Sequence, residues 1–119
     1  MYEYNAKIDY SSRYPQGAYD GDTIDFVIDL GFGISVARRV RLLGVDCQEL
    51  RGDSREEGLF FRNLTREWLY QGDTQDWAFR IHTEKHDSFG RYLAIVIRNN
   101  DASVLNQYLL DNGCPPYET

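Results

Sequence analysis

The sequence contains no apolar run long enough to form a membrane-spanning helix. Its longest undiluted stretch, Leu93 to Ile97, is strand-sized, whereas a span needs about 20 residues. Met1 to Lys7 has neither the basic start nor the apolar centre of a secretory signal, so a cytoplasmic location is expected. Cysteine is scarce: Cys47 and Cys114 are the only two, too few for a disulfide framework, and in a reducing interior both thiols are expected to stay free. Positive charge is also short, with 13 basic against 19 acidic residues and a net charge of −6. That balance excludes a protein that coats nucleic acid through a general positive field, so any phosphate chemistry must rest on local clusters. Lysine is rarer still, because all the basic residues except Lys7 and Lys85 are arginines, the side chain suited to bidentate phosphate contacts. Repeats, low-complexity segments and inter-domain linkers are missing too, which leaves one domain, 1–119.

What is present describes an ordinary globular domain: 42% hydrophobic, 14% aromatic and 27% charged residues. A chain of 119 residues buries about two thirds of its unfolded surface and can hold a real core. Tyr2 to Asp9 suits a first strand, and the turn-rich segment 11–17 follows it. Ile24, Phe26 and Ile28 alternate with Asp25 and Asp29, the period-2 pattern of a half-buried strand. Gly31-Phe32-Gly33 turns the chain into a strand through Val36, Val40 and Leu42. Phe61, Leu64 and Trp68 recur at helical spacing, which predicts a helix from about Ser54 to Tyr70 with Glu56 and Glu57 in its first turn. Trp77, Phe79 and Ile81 should pair with Tyr92 to Ile97 as a hairpin across Asp87-Ser88-Phe89-Gly90. Ser103 is read as the N-cap of a last helix carrying Val104, Leu105, Tyr108 and Leu109, stopped by Gly113 and Pro115-Pro116. Three strands, a helix, two strands and a helix suit an α+β, mainly β fold: a five-stranded Greek-key barrel of the OB type with two helices.

Three segments concentrate the chemistry. Asp20-Gly21-Asp22-Thr23 alone is a turn signal, Arg41 to Glu49 ends an apolar strand in two acids three residues apart, and Asp87 to Arg91 is a turn followed by an arginine. Together they supply carboxylates for a hard cation, a further carboxylate able to orient water, and two arginines able to hold a phosphate. Arg38 and Arg39 either widen a nucleic-acid groove or form a solvated strand face. His82 and His86 stand four apart, but on a strand and its turn, which favours surface histidines over a zinc pair. Asn63-Leu64-Thr65 reads as a sequon that falls by accident inside the helix.

In this order the pieces Asp20-Gly21-Asp22-Thr23, Arg41-Leu42-Leu43-Gly44-Val45-Asp46-Cys47-Gln48-Glu49, Phe89-Gly90-Arg91-Tyr92-Leu93-Ala94, and Leu105-Asn106 through Leu109-Leu110 to Gly113 resemble the staphylococcal nuclease (thermonuclease-like) family. The match covers about 100 residues, from Asp20 to the end. The resemblance implies a Ca²⁺-dependent phosphodiesterase that cleaves DNA or RNA, single strands preferred, to 3′-phosphate ends. Asp22 and Asp46 would be calcium ligands, with the backbone carbonyl of Cys47. Glu49 would position or deprotonate the attacking water, Arg41 and Arg91 would bind the scissile phosphate, and Phe89 and Tyr117 would contact the substrate.

The chain departs from the family pattern at several places. Cys47-Gln48 stands where the family has Thr or Ala and then Pro, so the loop carrying Glu49 lacks a fixed φ. Ser88 and Phe89 replace a lysine and a tyrosine, and the long C-terminal helix is missing. The competing expectation is a binding module on the same barrel, weak or inactive in catalysis, such as a phage or bacterial accessory protein. The joint presence of Asp22, Arg41, Asp46, Glu49 and Arg91 favours the enzyme.

Overall fold

The computed structural model describes residues 2–14, 16–47, 55–86 and 92–117. Six strands and two helices follow in the order β1 (Tyr2–Ile8), β2 (Ala18–Asp20), β3 (Thr23–Gly31), β4 (Ile34–Leu42), α1 (Arg55–Gly72), β5 (Phe79–His86), β6 (Tyr92–Arg98) and α2 (Leu105–Asp111). The sheet runs β1-β5-β6-β4-β3, and β1 pairs again with β3, so five strands close into a barrel. The three-residue β2 adds to the outer side of β3 and is too short to show a period in the sequence. One contact, β4 with β6 through Arg41↔Leu93, is parallel; the other pairings are antiparallel.

Alternation explains the barrel. Ile24, Phe26 and Ile28 of β3, Val40 and Leu42 of β4, Phe79 and Ile81 of β5, and Ala94 and Val96 of β6 all bury. The expected β5–β6 hairpin forms in the register Phe79↔Arg98 to Thr83↔Ala94; its turn lies outside the described residues. From α1, Phe61, Trp68 and Leu69 enter the same core, with the Trp68 ring stacked on Phe79 at 5.8 Å and Phe26 at 5.7 Å from Phe79. No described helix is long and apolar enough to cross a membrane.

Two expectations need correction. Ser103 does not cap α2: the first flanking residue is Val104, with no side-chain cap, and the Ser103 hydroxyl instead accepts the indole N–H of Trp68 at 3.0 Å. Packing between the helices outcompetes the local cap. The two cysteines are not free thiols. Cys47 and Cys114 form a disulfide with their Cα atoms 5.3 Å apart, because the segment after α2 folds back along residues 44–47.

Candidate functional site

Thr23 faces Arg41 across the β3–β4 pair, so the residues just outside that pairing, Asp22 before β3 and 43–47 after β4, meet at one rim of the barrel. Asp20-Gly21-Asp22 makes the approach. The Asp22 amide donates to the Asp20 carboxylate at 3.1 Å, an Asx-type turn, and the Asp22 carbonyl accepts the Leu42 N–H at 2.8 Å. Gly21 is needed for space: a Cβ there would sit 2.8 Å from Cβ of Phe61 and 2.9 Å from Cβ of Cys47. Thr65 of α1 anchors its carbonyl with a 2.7 Å hydrogen bond.

Asn106 holds the opposite side. Its amide donates to the carbonyls of Leu43 and Ala94 at 2.8 and 3.1 Å, and its oxygen accepts the Val96 N–H at 3.0 Å. One buried side chain thus ties the chain leaving β4 to the parallel strand β6. Beyond Leu43, Gly44 turns the chain with φ +80°, a left-handed conformation that favours glycine. The returning C-terminal segment then runs antiparallel beside this loop: the Asp46 N–H donates to the Pro115 carbonyl at 2.9 Å and the Tyr117 N–H to the Gly44 carbonyl at 3.0 Å.

The geometry centres on Arg41. Its Nη2 lies 3.3 Å from the Asp22 carboxylate and 3.4 Å from that of Asp46, and its Nη1 donates to the carbonyls of Leu42 and Val45 at 3.3 and 3.0 Å. The Tyr117 ring lies 5.1 Å from the guanidinium carbon. Asp22 is buried and Asp46 half open, at 6% and 55% side-chain exposure. Burial pushes the Asp22 carboxyl up to about 7, and the neighbouring Asp20 carboxylate pushes the same way; Arg41 and the Cys47 N–H, which donates to Asp22 at 3.0 Å, oppose the rise only in part.

The structure therefore brings together Asp22, Arg41, Asp46, Cys47 and Tyr117. Glu49, Phe89 and Arg91 lie outside the described residues, as do Gln48 and Ser88. Among the described residues no three His, Cys, Asp or Glu side chains group as a metal centre. The oxygen donors the structure brings to Arg41 are the carboxylates of Asp22 and Asp46, chemistry that suits a hard cation completed by further oxygens and water. Asp22 also carries a charge penalty that a cation would relieve.

Sequence reasoning missed Asp20, whose carboxylate shapes the turn and raises Asp22, and Cys114, whose sulfur is bonded beside the site. The Asp-Gly-Asp spacing held a signal for the first; the second has none, being 67 residues from its partner. Arg38 and Arg39 are both exposed, but Arg39 also makes two hydrogen bonds of 2.7 and 3.1 Å to buried Asp25. His82 contacts Glu3 at 3.1 Å. No family model and no curated protein sequence matches the chain.

Proposed function

We propose that the protein is a calcium-dependent phosphodiesterase that cleaves DNA or RNA, with single strands preferred, and leaves 3′-phosphate ends. The observation that carries this reading is the convergence of Asp22 and Asp46 on one guanidinium at the barrel rim, beneath the ring of Tyr117. Asp22, Asp46 and the Cys47 carbonyl would hold Ca²⁺, which when bound supplies positive charge against the phosphate oxygens. The acids that hold Arg41 in place would then be engaged elsewhere, and its guanidinium could turn to a phosphate oxygen. Arg91, by the family resemblance, is the second such group. Preorganised donors of this kind contribute about 10²- to 10³-fold each. Glu49 takes the proton of the attacking water, worth roughly 10²- to 10⁴-fold. The water oxygen bonds to phosphorus as the bond to the 5′ oxygen breaks, that oxygen takes a proton from solvent and leaves as an alcohol, and Tyr117, half exposed, offers a face for a base.

A second reading, a binding module on the same barrel, draws on one observation. Arg41 is engaged by two carboxylates and two carbonyls within the protein, as a purely structural residue would be. One assay separates the two. Labelled single-stranded DNA and RNA are incubated with the protein and Ca²⁺, Mg²⁺ or EDTA, and the ends are mapped. Cleavage to 3′-phosphate ends with Ca²⁺, abolished by EDTA, is expected. Binding without cleavage under any metal would replace the enzyme by the module, and cleavage in EDTA would remove the metal mechanism.

A further inference from the structure

The disulfide between the chain's two cysteines lies at the candidate site. Cys47 follows the predicted ligand Asp46, and its N–H holds the Asp22 carboxylate; Cys114 begins the four-residue segment that ends in Tyr117 over Arg41. That segment is held thinly. Pro115 and Pro116 have no N–H to donate, and Pro115, Pro116 and Tyr117 are exposed. Two backbone hydrogen bonds, Asp46 N–H to Pro115 and Tyr117 N–H to Gly44, join it to the loop. Among the described residues these two hydrogen bonds and the Tyr117–Arg41 ring contact are what hold residues 115–117, and a segment held by so few contacts opens readily unless something else keeps its ends together. The disulfide does this. It also sits against Gly21, whose Cβ position is 3.1 Å from the Cys47 sulfur, so it touches the turn before Asp22 as well.

We infer that the Cys47–Cys114 bond is a redox lock on the candidate site: oxidised, it holds Asp46, the Cys47 amide and Tyr117 in the arrangement that binds cation and substrate, and reduced, it lets that arrangement loosen while the barrel stays folded. The inference rests on the proposed nuclease reading for its functional consequence, but not for the structural one. The step is ordinary thiol–disulfide exchange. A dithiol attacks one sulfur, a mixed disulfide forms, and the second thiol of the reductant displaces the other cysteine; two electrons and two protons pass to the cysteines, and the reductant leaves as a cyclic disulfide. Both cysteines are buried, so attack on a sulfur requires the packing around the bond to open first. A chain made in a reducing compartment would carry a slack site there and acquire a competent one on reaching an oxidising one.

The test compares oxidised protein, protein held in dithiothreitol, and Cys114→Ser, with thiol titration to establish each state. Amide exchange is read at Asp46, Cys47 and Tyr117 and at the barrel residues Phe26, Ile81 and Val96; Ca²⁺ binding and cleavage of single-stranded DNA are read alongside. On reduction, exchange at the three rim amides should accelerate by about tenfold or more with the barrel amides unchanged, and Ca²⁺ affinity should fall by roughly five- to tenfold. Reoxidation should restore both for the wild type and neither for Cys114→Ser. Unchanged rim exchange in a fully reduced, folded protein overturns the lock, as does reduction that melts the barrel amides together with the rim, which would make the bond a global staple. Rim exchange that responds to reduction in a protein that neither binds Ca²⁺ nor cleaves supports the lock and overturns the nuclease reading instead.

Discussion

Strands β3 and β4, with the residue just before β3, carry two carboxylate–arginine pairs, and they are unlike. In Asp25–Arg39 the guanidinium meets a buried carboxylate through two hydrogen bonds, 2.7 and 3.1 Å, and lies near the rings of Tyr14 and Tyr19 at 5.5 and 5.1 Å. The bonded carboxylate raises Arg39 above its ordinary value. In Asp22–Arg41 the contact is a single 3.3 Å approach, the guanidinium is shared with Asp46, and burial with Asp20 drives Asp22 up to about 7. Both arginines lie near tyrosine rings, so the difference is in the acids. Among the described residues one acid pairs with Arg39, while three, Asp20, Asp22 and Asp46, gather at the other pair. The first pair is satisfied and structural; the second has surplus negative charge poorly solvated by the protein, the condition under which a carboxylate cluster gains from a cation.

Removing each arginine gives the largest contrast. Arg41→Ala should lower cleavage by about 10²- to 10³-fold, by loss of phosphate stabilisation. Arg39→Ala should leave cleavage near wild type and instead destabilise the fold by about 1–2 kcal/mol, because buried Asp25 loses a charged partner that is itself open to solvent. Steady-state kinetics and denaturant titration on both variants check the crossover; equal kinetic losses would erase the distinction between the pairs. Glu49→Gln, which keeps both pairs intact, should reduce turnover by about 10²-fold with little change in Ca²⁺ binding, read by kinetics beside a calcium titration.

Asp22→Asn should act in opposite directions on binding and stability. Ca²⁺ affinity should fall by roughly 10²-fold or more with the lost ligand charge. The metal-free fold should gain of order 1–4 kcal/mol at pH 8, because a carboxylate that folds at a penalty is gone. The pH dependence follows from the same group. Between its ordinary value of 3.8 and about 7, folded Asp22 holds a proton that the unfolded chain has released. Its contribution to stability therefore declines as pH rises through that window, and the advantage of Asp22→Asn over wild type should grow until about pH 7 and then level off. Ca²⁺ affinity should climb over the same window, by up to tenfold per pH unit. A stability difference independent of pH between 4 and 8 would remove the charge penalty.

The smallest effect belongs to the rings. Tyr19→Ala should cost about 0.5–1 kcal/mol through its contact with Arg39 and leave cleavage unchanged, whereas Tyr117→Ala should weaken single-strand binding by about 1–3 kcal/mol of stacking. Filter binding with the two variants measures that contrast.

Much of the barrel was legible in the residues themselves. Ile24, Phe26 and Ile28 alternate because each successive strand side chain points to the opposite face, and Phe61, Leu64 and Trp68 recur because a helix returns to one face every three to four residues. Those periods are local, so they can be read without the fold, and they place Asp22 before one strand and Asp46 after the next. Other features have no local cause. Ser103 has the chemistry of a cap, but its hydroxyl accepts the indole N–H of Trp68, 35 residues away in the chain. Asp25 reads as the solvent-facing member of an alternating strand, yet it is buried because Arg39 arrives from β4 to neutralise it. Asp22 is raised first by burial, where Gly21 lets the turn press against Phe61 and Cys47, and then by the Asp20 carboxylate beside it. The disulfide depends on α2 returning the chain end to the loop after β4, and a pairing across 67 residues is set by where the helix docks. Residue type and period thus determined the strands, the helices and the kinds of groups available; burial, charge and covalent pairing depend on which distant segments meet, and only the closed barrel decided those.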